Sequence, residues 1–173
     1  LAATGYEEVS LLSLSVGDYG PLAPLLKELM DRLAPRRVAV SLPSMRADTL
    51  TPEIMAQIQR VRRTGLTLAP EAGSERLRRV INKNLPEEAI MAAARQAFGA
   101  GWNLLKLYFM IGLPHETSED LAAMGALARQ ILKAAPKGRP KLNVSLSTFI
   151  PKPHTPFQWE RQEDLVSGRL RLQ

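Results

Sequence analysis

The sequence predicts an α/β domain built as a partial (β/α) barrel, TIM-like, with about five parallel strands. Three observations carry that expectation. The hydrophobic period switches repeatedly between about two and about 3.6 residues, so strands alternate with amphipathic helices. Strands start about 30 to 40 residues apart, the spacing βαβ units need. The run Leu104–Ile111 (LLKLYFMI) is nearly all apolar, as expected of a parallel strand buried on both faces. An open doubly wound sheet competes, but no Gly-x-Gly-x-x-Gly signature follows the first strand. Five strands do not close an eight-stranded barrel, so the barrel is read as incomplete.

The elements follow in order. Residues 8–16 (EVSLLSLSV) form the first predicted strand, ending at Gly17-Asp18-Tyr19-Gly20. Leu22–Leu33 places Leu22, Leu25, Leu26, Leu29, Met30 and Leu33 on one helical stripe. Residues 38–42 are a second strand, stopped by Pro43. Thr51 and Pro52 open a helix as N-cap and first-turn proline, carrying Ile54, Met55, Ile58 and Val61 until Gly65. Residues 66–69 are a third strand, and Ser74 caps a short helix with Leu77, Val80 and Ile81. A longer helix spans about residues 87–100, closed by Gly101. Leu104–Ile111 is the fourth strand. Thr117 and Asp120 have capping-box spacing for a helix that runs to Pro136. Residues 137–141 read as a turn before a fifth strand at 142–150. Residues 1–157 are assigned to the barrel core, and 158–173 to a tail or the start of a further segment.

Composition narrows the function classes. The 173 residues are 45% hydrophobic and 23% charged, which suits a globular domain with a substantial core. With no cysteine, the chain has no disulfide, no thiolate metal site and no cysteine nucleophile, which fits a reducing cytoplasm. No apolar run approaches the roughly 18–20 residues of a membrane span. The chain begins Leu1-Ala2-Ala3-Thr4-Gly5, without Met or a targeting pattern, and reads as a piece of a longer protein. Its net charge of +6 is clustered at Arg36-Arg37, Arg60 with Arg62-Arg63, and Arg76 with Arg78-Arg79 and Lys83. A nucleic-acid footprint and plain solvated helix faces both account for these runs, and no aromatic residue interleaves with them.

Ligands of parallel α/β folds bind at the carboxyl ends of the strands. Those ends carry Ser15, Gly17 and Asp18; Ser41, Ser44, Arg46 and Asp48; Glu71, Gly73 and Ser74; Gly112, His115 and Glu116; and Ser147, Thr148, Lys152 and His154. The opposite ends carry ordinary turn residues. Glu71 reads either as a site carboxylate or as a first-turn acid favoured by the next helix. His115 and His154 with Glu71 or Glu116 lack the i, i+4 spacing of a helical metal site. No Gly-x-Ser-x-Gly elbow supports a serine triad. Lys106, inside an apolar strand, is a Schiff-base candidate of aldolase type, or else a buried stem whose amine meets a carboxylate.

Three segments resemble one family. Pro70-Glu71-Ala72-Gly73-Ser74-Glu75-Arg76-Leu77, followed by Ile81-Asn82-Lys83, resembles the fourth βα unit of radical S-adenosylmethionine (SAM) enzymes. Met110-Ile111-Gly112-Leu113-Pro114-His115-Glu116-Thr117 resembles their fifth-strand segment, and Phe149-Ile150-Pro151-Lys152-Pro153-His154-Thr155-Pro156-Phe157 the end of the sixth. The nearest likeness is to an uncharacterised subgroup whose full-length members add an N-terminal cobalamin-binding-like domain. Methylthiotransferases are more distant.

The resemblance implies a (β/α)6 core of which strands two to six are present here. It also implies a 4Fe-4S cluster on a Cys-x3-Cys-x2-Cys loop after the first strand, expected upstream of Leu1. In the family that cluster cleaves SAM reductively to a 5′-deoxyadenosyl radical. Without cysteine, this piece alone is expected to be inactive and to supply most of the SAM pocket. Gly17 and Asp18 stand at the family's Gly-Gly-Glu, whose carbonyls meet the SAM ammonium. Glu71 and Ser74 stand where the ribose or carboxylate is held. Ile111 and Gly112 fall beside adenine, with Phe149 and Ile150 offering it backbone and apolar contact. Ser41 joins this set from the second strand. Arg46 and Lys106 are possible substrate partners, and no metal ligand is assigned within the chain. A SAM- or RNA-binding module without catalysis is the other reading. The absent first strand leaves the edge between Glu8 and Val16 open, which predicts either association with a second copy there or disorder of that edge.

Overall fold

A computed structural model describes residues 3–42, 45–63, 65–135 and 140–163. Strands and helices alternate as β1 (Glu8–Ser10), α1 (Leu22–Leu33), β2 (Ala39–Ser41), α2 (Pro52–Ile58), β3 (Leu66–Glu71), α3 (Glu75–Val80), α4 (Glu87–Gly99), β4 (Leu104–Ile111), α5 (Ser118–Lys133) and β5 (Lys141–Thr148). Side-chain chemistry sets several of these boundaries. The Thr51 hydroxyl accepts the Ile54 N–H at 3.3 Å, with Pro52 in the first turn. The Ser74 hydroxyl accepts the Leu77 N–H at 3.0 Å. Thr117 and Asp120 form the expected capping box at the head of α5.

Among the described residues every strand pairing is parallel and follows the order of the sequence. The strands divide into a two-stranded sheet, β1–β2, and a three-stranded sheet, β3–β4–β5, where one continuous five-stranded arc was expected. The division has a local cause. β2 is three residues long, and β3 carries both Pro70, which has no N–H to offer, and a bulge between Leu68 and Glu71. Those are features of an edge strand.

The first strand is also shorter than expected. Only Glu8–Ser10 is strand, the ladder ends with the Leu11 N–H donating to Ser41 O at 3.1 Å, and Val16–Asp18 is a 3-10 turn. Leu12 and Leu14 are 82% and 105% exposed, so the alternation from residue 11 onward has no sheet to pack against. β2 is likewise trimmed to 39–41 and α2 stops at Ile58, whereas β3 extends through Glu71. β5 ends at Thr148, before Phe149 and Ile150. The expectations that fell on Pro43, Ser44, Thr64 and Pro136, on 137–139 and on 164–173 lie outside the described residues.

The core lies on one side of the sheets. In β4, Leu105, Leu107, Phe109 and Ile111 are buried in the apolar core with Ile90 of α4 and Leu127 and Ile131 of α5. The alternate residues Lys106, Tyr108 and Met110 share the other face with Asn143, Ser145 and Ser147 of β5, their register partners. On that face Met110 packs against a small second cluster of Ala72, Leu77, Leu113 and Phe149, but Tyr108 is 43% exposed, so β4 is not buried throughout on both faces as its composition suggested. Among the described residues no helix is long and apolar enough to cross a membrane.

Two glycines test this packing with opposite signs. Gly73 lies against α5 so closely that a Cβ there would overlap the Met124 N and the Asp120 carbonyl oxygen. Gly73→Ala is expected to lower stability by about 1–3 kcal/mol in urea unfolding, the usual cost of overpacking. Gly99 ends α4 with no atom within 4 Å of an added Cβ, so Gly99→Ala should raise stability by up to about 1 kcal/mol.

Candidate functional site

The site is built around the carboxyl end of β3. Leu68 pairs with Leu107 but Glu71 pairs with Phe109, so β3 carries one extra residue there. Glu71 takes the left-handed conformation, φ 67°, which a residue with a side chain holds only under constraint. Its carboxylate accepts a hydrogen bond from the Lys83 ammonium at 3.0 Å, with both side chains more than two-thirds buried. Beyond β2, Arg46 grips Asp48 with two parallel bonds, Nε to Oδ1 at 3.0 Å and Nη2 to Oδ2 at 2.7 Å. The Arg46 hydrogen bond holds the Asp48 carboxyl below its ordinary value, with Lys83 adding to the effect. In return, the Asp48 bond raises the Arg46 guanidinium.

These two ion pairs line a cavity of about 270 Å³ together with Leu14, Thr67 and Tyr108. Arg46 and Lys83 also line an open depression of about 550 Å³ with Ser15 and Asp18. Glu71 and Tyr108 also line one of about 300 Å³ with Ser145 and Ser147. The shared walls make these three spaces one groove, running along the carboxyl rim from the β1 side to β5.

Of the strand-end residues read from sequence, the structure brings Ser15, Asp18, Arg46, Asp48, Glu71 and Ser147 to this groove. Gly17 lies beside it in a 3-10 turn and packs so tightly on Thr49 that a Cβ would overlap that side chain. The Ser41 hydroxyl is within 2.7 Å of the Ser10 hydroxyl and also bonds Glu8. Ile111 is buried on the helix side. The Gly112 N–H donates to Glu116 Oε1 at 3.0 Å, at a φ of 74°. Phe149 is buried with its ring edge-on to Phe157 at 6.1 Å, while Ile150 is 57% exposed. Lys106 points to the other end of the strands, where its Nζ would lie 3.6 Å from a Cβ on Gly65. Sequence reading passed over Lys83 and Tyr108 as site residues. Lys83 sits in the quoted Ile81-Asn82-Lys83 segment, and Tyr108 is a polar-tipped residue inside an apolar strand.

Ser74 serves the fold beneath the groove. Its hydroxyl caps α3 and donates a hydrogen bond to the buried Asp120. Asp120 also accepts from Arg76 and, at 2.9 Å, from the Thr117 N–H. Burial alone would raise the Asp120 carboxyl, but these hydrogen bonds outweigh it and hold it below its ordinary value of 3.8. The arginine runs find partners within the chain as well: Arg60 with Asp31 at 2.7 Å, Arg62 with Glu8 at 2.6 Å, and Arg79 with Glu75. Among the described residues no group of three His, Asp or Glu side chains is placed to hold a metal ion, and His115 and His154 stay apart from the groove.

Comparison with known proteins places this geometry. The model of the radical SAM superfamily matches residues 1–128. The chain belongs to the radical SAM superfamily. An uncharacterised protein of Methanocaldococcus jannaschii, MJ0966, is 40% identical over 162 residues, covering 94% of this chain and 34% of that protein. The solved structure of coproporphyrinogen III oxidase (HemN) from Escherichia coli, described as a radical SAM enzyme, superposes with a TM-score of 0.57 at 16% identity. That match covers 76% of this chain and 29% of the HemN chain. The chain thus spans about a third of the length of the relatives it matches. The radical SAM partial barrel expected from sequence is the fold observed.

Asp120 makes stability depend on pH. A carboxyl held below its unfolded value contributes stability above that value and loses it as pH falls through the folded one. Urea unfolding is expected to show stability declining below about pH 4 in the wild type, with a flatter profile in Asp120→Asn. The substitution should cost about 2–3 kcal/mol at pH 7, because it weakens a buried acceptor shared by Ser74, Arg76 and Thr117.

Proposed function

We propose that this chain is the SAM-binding portion of a radical SAM enzyme, and that the groove at the carboxyl rim is where SAM and substrate lie. One observation carries the reading: in a chain of this family, Arg46–Asp48 and Glu71–Lys83 converge on an open cavity at the end of the strands where parallel α/β folds bind ligands. The donor set suits SAM. Arg46 and Lys83 complement a carboxylate, and Asp18, Asp48 and Glu71 complement an ammonium or ribose hydroxyls. The exposed Tyr108 ring on the groove wall offers a flat apolar surface for a nucleobase.

An iron–sulfur cluster has no such fit here. The 173 residues contain no cysteine, so no thiolate in this sequence is available to hold one. On this reading the cluster ligands of the intact protein lie outside the sequence, and these residues bind and orient. A cluster held elsewhere in the intact protein would supply the one-electron chemistry, and none of the residues of this sequence would bind it. The chain's own contribution is to neutralise the charged ends of SAM, to hold it by the rim of β3 and β4 against Tyr108, and to leave the polar wall of Ser145 and Ser147 for substrate.

The test uses the intact protein, reconstituted with iron and sulfide and supplied with a reductant. It is expected to form 5′-deoxyadenosine from SAM, and to bind SAM in equilibrium dialysis. Glu71→Gln and Lys83→Met should each weaken that binding about tenfold, the effect of losing one charge-assisted bond, with cluster absorbance unchanged. An intact protein that neither binds SAM nor forms 5′-deoxyadenosine would sink the reading.

A further inference from the structure

We propose that Arg78, which lines none of the three spaces of the groove, is the positioning residue that holds Glu71 and Lys83 together there. The inference rests on the site reading above and adds a residue to it. Arg78 lies in α3 and is fully buried. Its Nη1 donates to the carbonyls of Ala72 and Gly73, both at 3.0 Å, directly after Glu71. Its Nε donates to the Leu85 carbonyl at 2.8 Å, two residues after Lys83. Its own carbonyl accepts the Lys83 N–H at 2.7 Å. One residue therefore ties down the backbone on both sides of the Glu71–Lys83 pair.

The backbone around the pair needs such a clamp. Glu71 and Asn82, the latter next to Lys83, both take left-handed conformations, with φ of 67° and 56°. Non-glycine residues keep such geometry only where their surroundings over-determine it. α3 has six residues, too few to hold a fixed shape without tertiary contacts. A buried guanidinium is also an expensive way to fill space, since an apolar side chain of similar volume often does as well or better. Burial pushes the Arg78 guanidinium down, with Glu75 and Glu87 acting the other way. Its Nη2 is buried without a hydrogen-bond partner among the described residues. The residue tolerates this because its forked, planar geometry reaches three carbonyls on two segments at once, which no apolar side chain does.

The test measures Lys83 directly, without ligand. In the intact protein, native-state acylation of lysines by an N-hydroxysuccinimide ester is followed residue by residue with mass spectrometry. Arg78→Met, or Arg78→Lys where the first does not fold, is expected to speed labelling of Lys83 roughly tenfold relative to Lys27 and Lys141, the scale of coupling within one hydrogen-bond network. A second arm measures SAM affinity in a double-mutant cycle. The loss caused by Arg78→Lys should vanish in a Lys83→Met background, because the clamp then has no pair to hold. The proposal is overturned if Lys83 labelling stays at the wild-type level or rises only in step with Lys27 and Lys141. It is equally overturned if the Arg78 effect on SAM affinity persists undiminished without Lys83. If SAM does not bind at all but Lys83 labelling responds to Arg78, the clamp stands and the assignment of the groove to SAM falls.

Discussion

Among the described residues every strand pairing is parallel, residues from the carboxyl halves of both sheets line one rim, and the rest of the structure depends on that constraint. Asp18, Arg46, Glu71, Tyr108 and Ser145 are far apart in sequence and lie along a single groove. An antiparallel pairing anywhere would have sent one of them to the opposite end. Parallel pairing also requires a crossover between successive strands, and here the crossovers are helices packed on one face. The apolar alternate residues of β4 sit under those helices, and Tyr108 on its other face lines the opening. The groove and the core are thus two consequences of one topology.

Magnitudes separate the groups that maintain the fold from those available for binding. Arg46–Asp48 is well exposed to solvent, and exposed ion pairs contribute at most about 1 kcal/mol. Such a pair does little for stability, but its charges can be redirected to a ligand. The Ser74–Asp120–Arg76–Thr117 network is different, with its carboxylate nearly inaccessible and every bond satisfied within the protein. Ser74 was a plausible ligand contact as a residue type, and its hydroxyl is committed to structure. Arg78 stands between the two classes, buried like the core and placed beside the pair that is not.

The bulge in β3 connects local strain to this arrangement. An extra residue between Leu68 and Glu71 turns the Glu71 carboxylate toward Lys83 and, with Pro70, marks β3 as an edge of its sheet. The separation of the β1–β2 sheet from the β3–β4–β5 sheet coincides with the cavity lined by the two ion pairs, whose walls include residues following β2 and residues of β3. A continuous ladder there would bring the two strands within about 5 Å of each other and close that space.

Much of this was legible in the sequence. Helix bounds at Leu22–Leu33 and Glu87–Gly99, the Thr51, Ser74 and Thr117 caps and the whole of β4 follow from periodicity and capping chemistry, which are local. Arg46 and Glu71 were legible as site candidates because they follow strands in a fold that binds ligands there. The length of β1 was not, since EVSLLSLSV alternates throughout but only its first residues meet a partner. Nor was the open face of β4, whose composition suggests burial while its exposure depends on what lies across the barrel. The sequence by itself determined which segments become strands and helices, because hydrophobic period, caps and proline act within a few residues. Only the tertiary structure decided which polar residues meet. The Glu71–Lys83 pair, the commitment of Ser74 to Asp120 and the turn of Lys106 away from the groove depend on strand register and close helix packing, and these set distances between residues that no local pattern relates.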